Sequence, residues 1–440
     1  MEQKNNKKTI RSWAFFDWAN SAYNLVITST IFPAYYTIIT SDKNNDSLDY
    51  VTFMGFRFIN SALYNYALAF AFLVIAILSP ILSSIADSRG NKKLFMQLFT
   101  YLGAFSCCGL YFFEIGTLQV SIMLFILAAI GFWGSLVFYN AYLPEIATPD
   151  QQDRVSAKGY TYGYIGSIIL QLICFLFVFF PASFGLSGGA QASRLSFLLV
   201  GIWWMVFAQI PFRNLPKGTA GVAKSGTSLL TGGFIELKKF WQQLKHMAYL
   251  KRFLLAFFFY SMGVQTVMLV ATIFGEKELR LPTEKLIATI LLLQIVAIPG
   301  AMLMSWLSKR FFGNIIVLIG VVSIWIIACI AAYFVHTEIQ FYVLAAAVGL
   351  IMGGIQSLSR STYSKFLPQE SPDHTSFFSF YDVTEKVALV IGMFSFGYIE
   401  EFTGSMRNSL IALAAFFIIG LLFLFLVKRV EPQTVKASIN

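Results

Sequence analysis

Twelve apolar runs, each long enough to cross a bilayer, constrain what this chain can fold into. They fall at roughly 12–40, 61–86, 94–113, 119–143, 155–180, 194–213, 251–274, 284–308, 314–335, 339–366, 374–400 and 407–428. A hydrocarbon core about 30 Å thick needs about 20 residues of helix. Inside it every backbone N–H and C=O must be satisfied by protein, which leaves helices or closed barrels. Barrel strands are short and alternating, and these runs do neither. The expected class is therefore an all-α integral membrane protein with about 12 transmembrane helices. Composition agrees: 57% of the 440 residues are hydrophobic and 12% are charged, about half the charged share of a soluble domain.

The net charge of +10 would raise the question of nucleic acid in a soluble chain. Here the bases lie between the runs, so a nucleic-acid partner is not expected. Lys4, Lys7, Lys8 and Arg11 precede the first run, Arg89, Lys92 and Lys93 follow the second, and Arg154, Lys158, Lys309, Arg310, Arg360, Lys365, Lys428 and Arg429 fall on the same side. The positive-inside bias then predicts both termini in the cytosol. The first run is too long for a signal peptide and is read as an anchor. Cys107, Cys108, Cys174 and Cys329 all lie within apolar runs and read as small core residues rather than a disulfide framework.

The segment Asn214–Leu250 divides the runs six and six, giving an N-terminal bundle (1–213), a cytosolic linker (214–250) and a C-terminal bundle (251–440). The linker opens with LPKGTAGVAKSGTS. It continues with Phe234, Leu237, Trp241, Leu244 and Met247 at helical spacing among Lys238, Lys239 and Lys245. That pattern suits an amphipathic helix on the inner leaflet or one packed beneath the bundle. The halves echo each other: YLPEIATPDQQDR follows the fourth run and FLPQESPDHTSF the tenth. A parallel repeat of six-span halves is an architecture of secondary transporters, with the substrate site at the repeat interface.

Two runs carry polar residues that a membrane helix does not hold without cost. In the first, Asp17, Asn20, Ser21, Asn24 and Thr28 recur three and four apart and form one stripe on a helix. An acid at mid-membrane costs roughly 3 kcal/mol; the alternative is that Asp17 lies at the headgroups. In the eleventh, Asp382, Glu385 and Lys386 lie within two turns, with Asp382 and Lys386 four apart and able to pair. Arg360 and Gln356 in the tenth run complete the set. Arg360 is the expected cross-helix partner of one of the eleventh-run acids, unless it snorkels to the headgroups. Intramembrane charges usually line a pathway or pair internally. A substrate or proton pathway is therefore expected from Asp17, Asn20, Ser21, Asn24, Gln356, Arg360, Tyr381, Asp382, Glu385 and Lys386. Trp13, Trp18, Tyr23 and Tyr381 supply aromatic walls. Both signs of charge suit a zwitterion.

The loop SSIADSRGNKK, between the second and third runs, places Asp87, Arg89, Gly90 and Lys92 in a tight basic turn. Asp87 is expected to receive the positive end of a facing helix and to pair with an Arg across the halves, which makes the loop a gate. A merely topogenic basic loop is the alternative. The loop resembles the Gly-x-x-x-Asp-Arg-x-Gly-Arg-Arg signature of the major facilitator superfamily, with Ser83 and Ser88 replacing the first Gly and the Arg. WAFFDWANSAY, GGIQSLSRSTYSKFLP and FFSFYDVTEK resemble motifs of the vacuole-effluxer-like family of that superfamily, which includes autophagy-related amino-acid exporters and bacterial permeases. The resemblance implies a major-facilitator fold of two six-helix bundles. It also implies alternating access for a small solute, with an amino acid or peptide-like molecule as the candidate, driven by a proton or other ion gradient. A lipid or amphiphile flippase and a non-transporting membrane sensor are the rival readings on the same fold. The chain is expected to be a monomer among membrane lipids, in a bacterial inner membrane, with a vacuolar membrane as the alternative.

No catalytic motif competes. Gly218–Ser225 (GTAGVAKS) nearly matches a phosphate loop, but Ala223 replaces the second Gly and no strand precedes it. His246, His336 and His374 are scattered, so no metal site is expected. The chain is not read as an enzyme, and no cofactor is called for.

Overall fold

The computed structural model describes residues 4–41, 49–217, 242, 244, 247–369, 371 and 373–428. Phe234, Leu237 and Trp241 of the linker, the phosphate-loop-like segment, Pro372 and Arg429 lie outside the described residues.

The first membrane crossing is made of α1 (Lys7–Tyr23), a π-helical turn (Asn24–Thr30) and α2 (Ile31–Thr40). The expected regular helix is interrupted for a local reason. Pro33 has no N–H for the carbonyl four residues back. The Ser29 and Thr30 hydroxyls donate instead to the carbonyls of Asn24 and Leu25, five residues back. Such insertions widen a helix into a π-turn. A hairpin follows, β1 (Tyr50–Phe53) against β2 (Phe56–Ile59), closed by Met54 and Gly55, both at positive φ as a two-residue turn requires. This small sheet is an addition to the all-α expectation.

The remaining helices are α3 (Asn60–Arg89), α4 (Lys92–Gly109), α5 (Leu118–Asn140), the short α6 (Leu143–Ile146), α7 (Pro149–Phe179), α8 (Gly189–Asn214), α9 (Ala248–Lys277), α10 (Thr283–Leu307), α11 (Asn314–Tyr333), α12 (Glu338–Phe366), α13 (His374–Thr403) and α14 (Met406–Lys428). Among the described residues ten helices are long and apolar enough to cross a membrane outright. The other two crossings are the π-broken first one and α13, which holds Asp382, Glu385 and Lys386. The two runs singled out for polarity are thus the two that depart from a plain membrane helix.

Two apolar cores form. One draws on residues from Trp13 to Leu215, joined by Leu389. The other draws on Leu244 to Val427, with Ala141 and Tyr164. The halves meet where α7 packs on α10 and α12, and where α13 packs on α3 and α5. Close approach relies on missing side chains. A Cβ on Gly166 would lie 2.6 Å from the Trp18 carbonyl, and one on Gly349 2.7 Å from the Leu293 carbonyl. Small residues at such crossings let backbones touch.

Candidate substrate pathway between the two halves

The polar contacts between the halves gather at the end of the bundle where the α3–α4 turn, the α5–α7 connection and the α12–α13 connection meet. Deepest lies Arg360 of α12, 2% exposed. Its Nε donates to Ser156 Oγ (3.0 Å). One terminal nitrogen donates to Asp17 Oδ2 (3.3 Å) and Asn140 Oδ1 (3.2 Å), the other to Asp17 Oδ2 (3.4 Å) and the Ser156 carbonyl (2.9 Å). A guanidinium has five N–H groups, and five bonds are made, all to the first half. Trp13, Tyr139 and Tyr160 surround it with ring centroids 4.8, 5.5 and 4.2 Å away. Tyr139 also donates to Asp17 Oδ2 at 2.7 Å. Asp17 is 5% exposed, its carboxylate enclosed by protein.

This arrangement corrects two expectations. Arg360 pairs with Asp17, not with Asp382 or Glu385, and it is buried rather than snorkelling. Gly159 makes room: a Cβ there would lie 2.6 Å from Asp17 Oδ2 and 2.8 Å from an Arg360 nitrogen.

Nearer the end, Asp153 at the start of α7 accepts from Asn314 Nδ2 (2.7 Å) and Lys365 Nζ (2.6 Å) of the second half. Gln152 donates to Gln369 (3.1 Å). Asp87 accepts from the backbone N–H groups of Thr375 (3.2 Å) and Ser376 (2.7 Å) and from the Ser376 hydroxyl (2.8 Å). It therefore faces the N-terminus of α13, where exposed backbone donors and the helix dipole favour an anion. The expected cross-half pair of Asp87 with an Arg does not form. Arg89 is exposed, and Gly90 takes φ 65° to end α3. Lys92 is buried; it bonds Glu145 and lies 4.1 Å from the Tyr142 ring centroid, while His374 Nδ1 reaches Glu145 at 3.5 Å. Lys92, Arg360 and Lys365, counted in the sequence as topogenic charge, are held in buried ion pairs.

The opposite end differs in chemistry. Arg194–Glu114, Lys277–Glu400, Lys285–Glu338 and Arg407–Glu278 each pair within one half. Across the halves, Leu269, Ile287, Leu291, Leu389 and Met393 of the second half pack on the first-half core.

Between the two ends lies a narrow, half-open cleft with about 10 Å³ of room for water, bounded by α9, α12 and α13 with Tyr160 of α7. Gln356, Tyr381 and Glu385 of the predicted set line it, together with Phe257, Tyr260, Ser261, Gln265 and Ser359. Gln356 Oε1 accepts from Tyr164 at 2.6 Å, and Glu385 Oε1 from Gln265 at 2.9 Å. Lys386 is 2% exposed. It bonds Glu385 Oε2 (3.0 Å) and Asp382 Oδ1 (3.3 Å), and its Nζ lies 3.5 Å from the Trp133 ring centroid of the first half. Asn20 is buried with both side-chain polar atoms unpartnered among the described residues. Ser21 Oγ lies against Gly163 of α7, and Asn24 opens the π-turn. Trp13 is part of the Arg360 box, but Trp18 stacks on Trp203 and Tyr23 packs on Phe132 and Trp204, away from the cleft.

Sequence reasoning missed Tyr160, Tyr260, Gln265, Asp153, Asn314, Glu145 and His374. Asp153, Glu145 and His374 carried a signal, since all three lie in the repeated stretches YLPEIATPDQQDR and FLPQESPDHTSF.

The fold is that of the major facilitator transporters. The chain superposes on the fucose transporter FucP in its outward conformation with a TM-score of 0.69 at 13% identity, covering 96% of this chain and 98% of that one. It superposes on the proton:xylose symporter XylE with 0.70 at 13% identity, covering 95% and 94%. The sequence model of the family described as "Vacuole effluxer Atg22 like" matches residues 5–434, and this chain belongs to that family. It is 30% identical to the MFS-type transporter YxiO of Bacillus subtilis (strain 168) over 98% of both chains. It is 25% identical to autophagy-related protein 22 of Kluyveromyces lactis over 94% of this chain and 92% of that one. It is a multi-pass membrane transporter, not an enzyme.

Proposed function

We propose that this chain is a secondary active transporter that moves a small polar solute by alternating access and draws on a proton gradient. The observation that carries the reading is Glu385, a half-buried carboxylate of α13 that lines the cleft. The cleft lies between an end closed by cross-half hydrogen bonds and an end closed by apolar contacts. An intramembrane carboxylate facing a cavity is a natural carrier for a proton or a cation. The two closures differ in kind, so each can open while the other holds. Residues 1–213 and 251–440 are the moving bundles, 214–250 joins them, and Asp87, Arg89, Gly90 and Lys92 belong to the gate. The remaining residues of the predicted pathway line or brace the route. The positive-inside bias of the loops supports a reading with both termini in the cytosol; the reading further takes a bacterial inner membrane as the site and a monomer as the working unit.

The test is uptake into proteoliposomes from a mixed pool of amino acids and dipeptides, with and without an imposed pH gradient. Wild type and Glu385→Gln are compared. Gradient-driven uptake that the variant loses supports the reading. Uptake that ignores the gradient removes proton coupling. No uptake by folded wild-type protein removes this solute pool, and the bilayer lipids become the next substrates to test.

A further inference from the structure

The charges around the cleft do not balance. Asp17, Asp382 and Glu385 face only Arg360 and Lys386, so one carboxylate is in excess. All five Arg360 N–H groups are bonded to protein. Lys386 is enclosed by two carboxylates and an indole ring. Neither base lines the cleft. Asp382, one turn before Glu385 on α13, has Oδ2 unpartnered among the described residues. Glu385 keeps 22% of its side chain exposed and has lone pairs beyond the two bonds it accepts. Tyr160, Phe257, Tyr260 and Tyr381 supply the rest of the wall. A substrate carboxylate entering here meets no cation. An ammonium meets a carboxylate set among aromatic side chains.

We infer that the cleft, narrow in this structure and widened as the halves part, takes a small organic amine with an aromatic or apolar body, its ammonium received by Glu385. This rests on the transporter reading above and replaces the zwitterion expected from the sequence.

The full chain in lipid nanodiscs is titrated by calorimetry with three probes that share a phenyl body: phenethylamine, L-phenylalanine and 3-phenylpropionate. The expected order is phenethylamine first, phenylalanine weaker by about tenfold or more, and no heat from phenylpropionate. Glu385→Gln weakens phenethylamine by about tenfold or more. The wild-type ranking needs no variant, so a folding defect in the variant does not obscure it. Phenylalanine binding as tightly as phenethylamine, binding of phenylpropionate, silence from all three, or an unchanged affinity in folded Glu385→Gln each overturns the inference. Uptake of any solute that persists while the amine fails sinks only the substrate class; absence of transport of the pool, the amine and lipids alike by folded protein sinks the transporter reading with it.

Discussion

Arg360 and Asp17 lie 343 positions apart in sequence, and both terminal nitrogens of the first meet a single carboxylate oxygen of the second. That oxygen also accepts from Tyr139. One side chain from the second half is thereby saturated by acceptors of the first.

Such a pair is costly to break from one side. Replacing one partner of a buried ion pair leaves a lone charge, with a penalty of about 3–5 kcal/mol. Arg360→Met is expected to lower thermal stability in detergent by that order, and Asp17→Asn somewhat less, because Asn keeps an acceptor for Tyr139. The double variant should recover part of the loss. Arg360→Lys should behave like the loss, since an ammonium cannot reach the acceptors of a planar fork. Differential scanning fluorimetry on the four proteins checks this.

Gly159→Ala should act through the same pair without changing any charge. Its methyl would meet Asp17 and Arg360 inside van der Waals distance, and overpacking costs about 1–3 kcal/mol. Gly397→Ala is the control: nothing lies within 4 Å of its Cβ, and alanine favours a helix by about 1 kcal/mol. The two substitutions should shift the melting temperature in opposite directions.

Asp87→Asn keeps an oxygen for the N-terminus of α13 but removes the charge that faces its dipole, a loss of about 0.3–1 kcal/mol or more when partly buried. The basic end should then open more often. Spin labels at Arg89→Cys and Lys309→Cys, both exposed and on opposite halves, report it in a background with Cys107, Cys108, Cys174 and Cys329 replaced by Ala. Double electron–electron resonance should show a longer-distance population in Asp87→Asn than in the parent. Identical distributions would leave Asp87 without a gating role.

Lys386 holds two acids at once. Lys386→Met should destabilise more than Asp382→Asn, because it leaves two carboxylates facing each other, and Lys386→Met with Asp382→Asn should regain stability. Thermal melts of the three variants check the order.

What the sequence disclosed follows the reach of local signals. Apolar length alone located the crossings: the run read at 61–86 is Asn60–Arg89, and the one at 339–366 is Glu338–Phe366. Intramembrane charge draws attention to Asp17, Arg360, Asp382, Glu385 and Lys386, because each is costly unless compensated. It did not say who compensates whom. Arg360 was assigned to the nearby acids of the next helix, whereas its true partner lies in the first helix, a contact that only the packing of both α12 and α1 against α7 creates. Tyr160 and Gln265 were invisible for another reason. In a chain with 46 Phe and 20 Tyr, one more aromatic residue carries no information, and a neutral amide costs too little to mark itself.

The most direct test of alternating access is a reversible lock on the basic end. Gln152 and Gln369 face each other across the halves, with a side-chain hydrogen bond of 3.1 Å. Gln152→Cys with Gln369→Cys, in the cysteine-free background, is assayed for uptake of the pooled solutes in proteoliposomes before oxidation, after oxidation and after reduction. Transport that stops on oxidation and returns on reduction is the predicted result. Undiminished transport by fully cross-linked protein would contradict a mechanism in which the two halves part at that end.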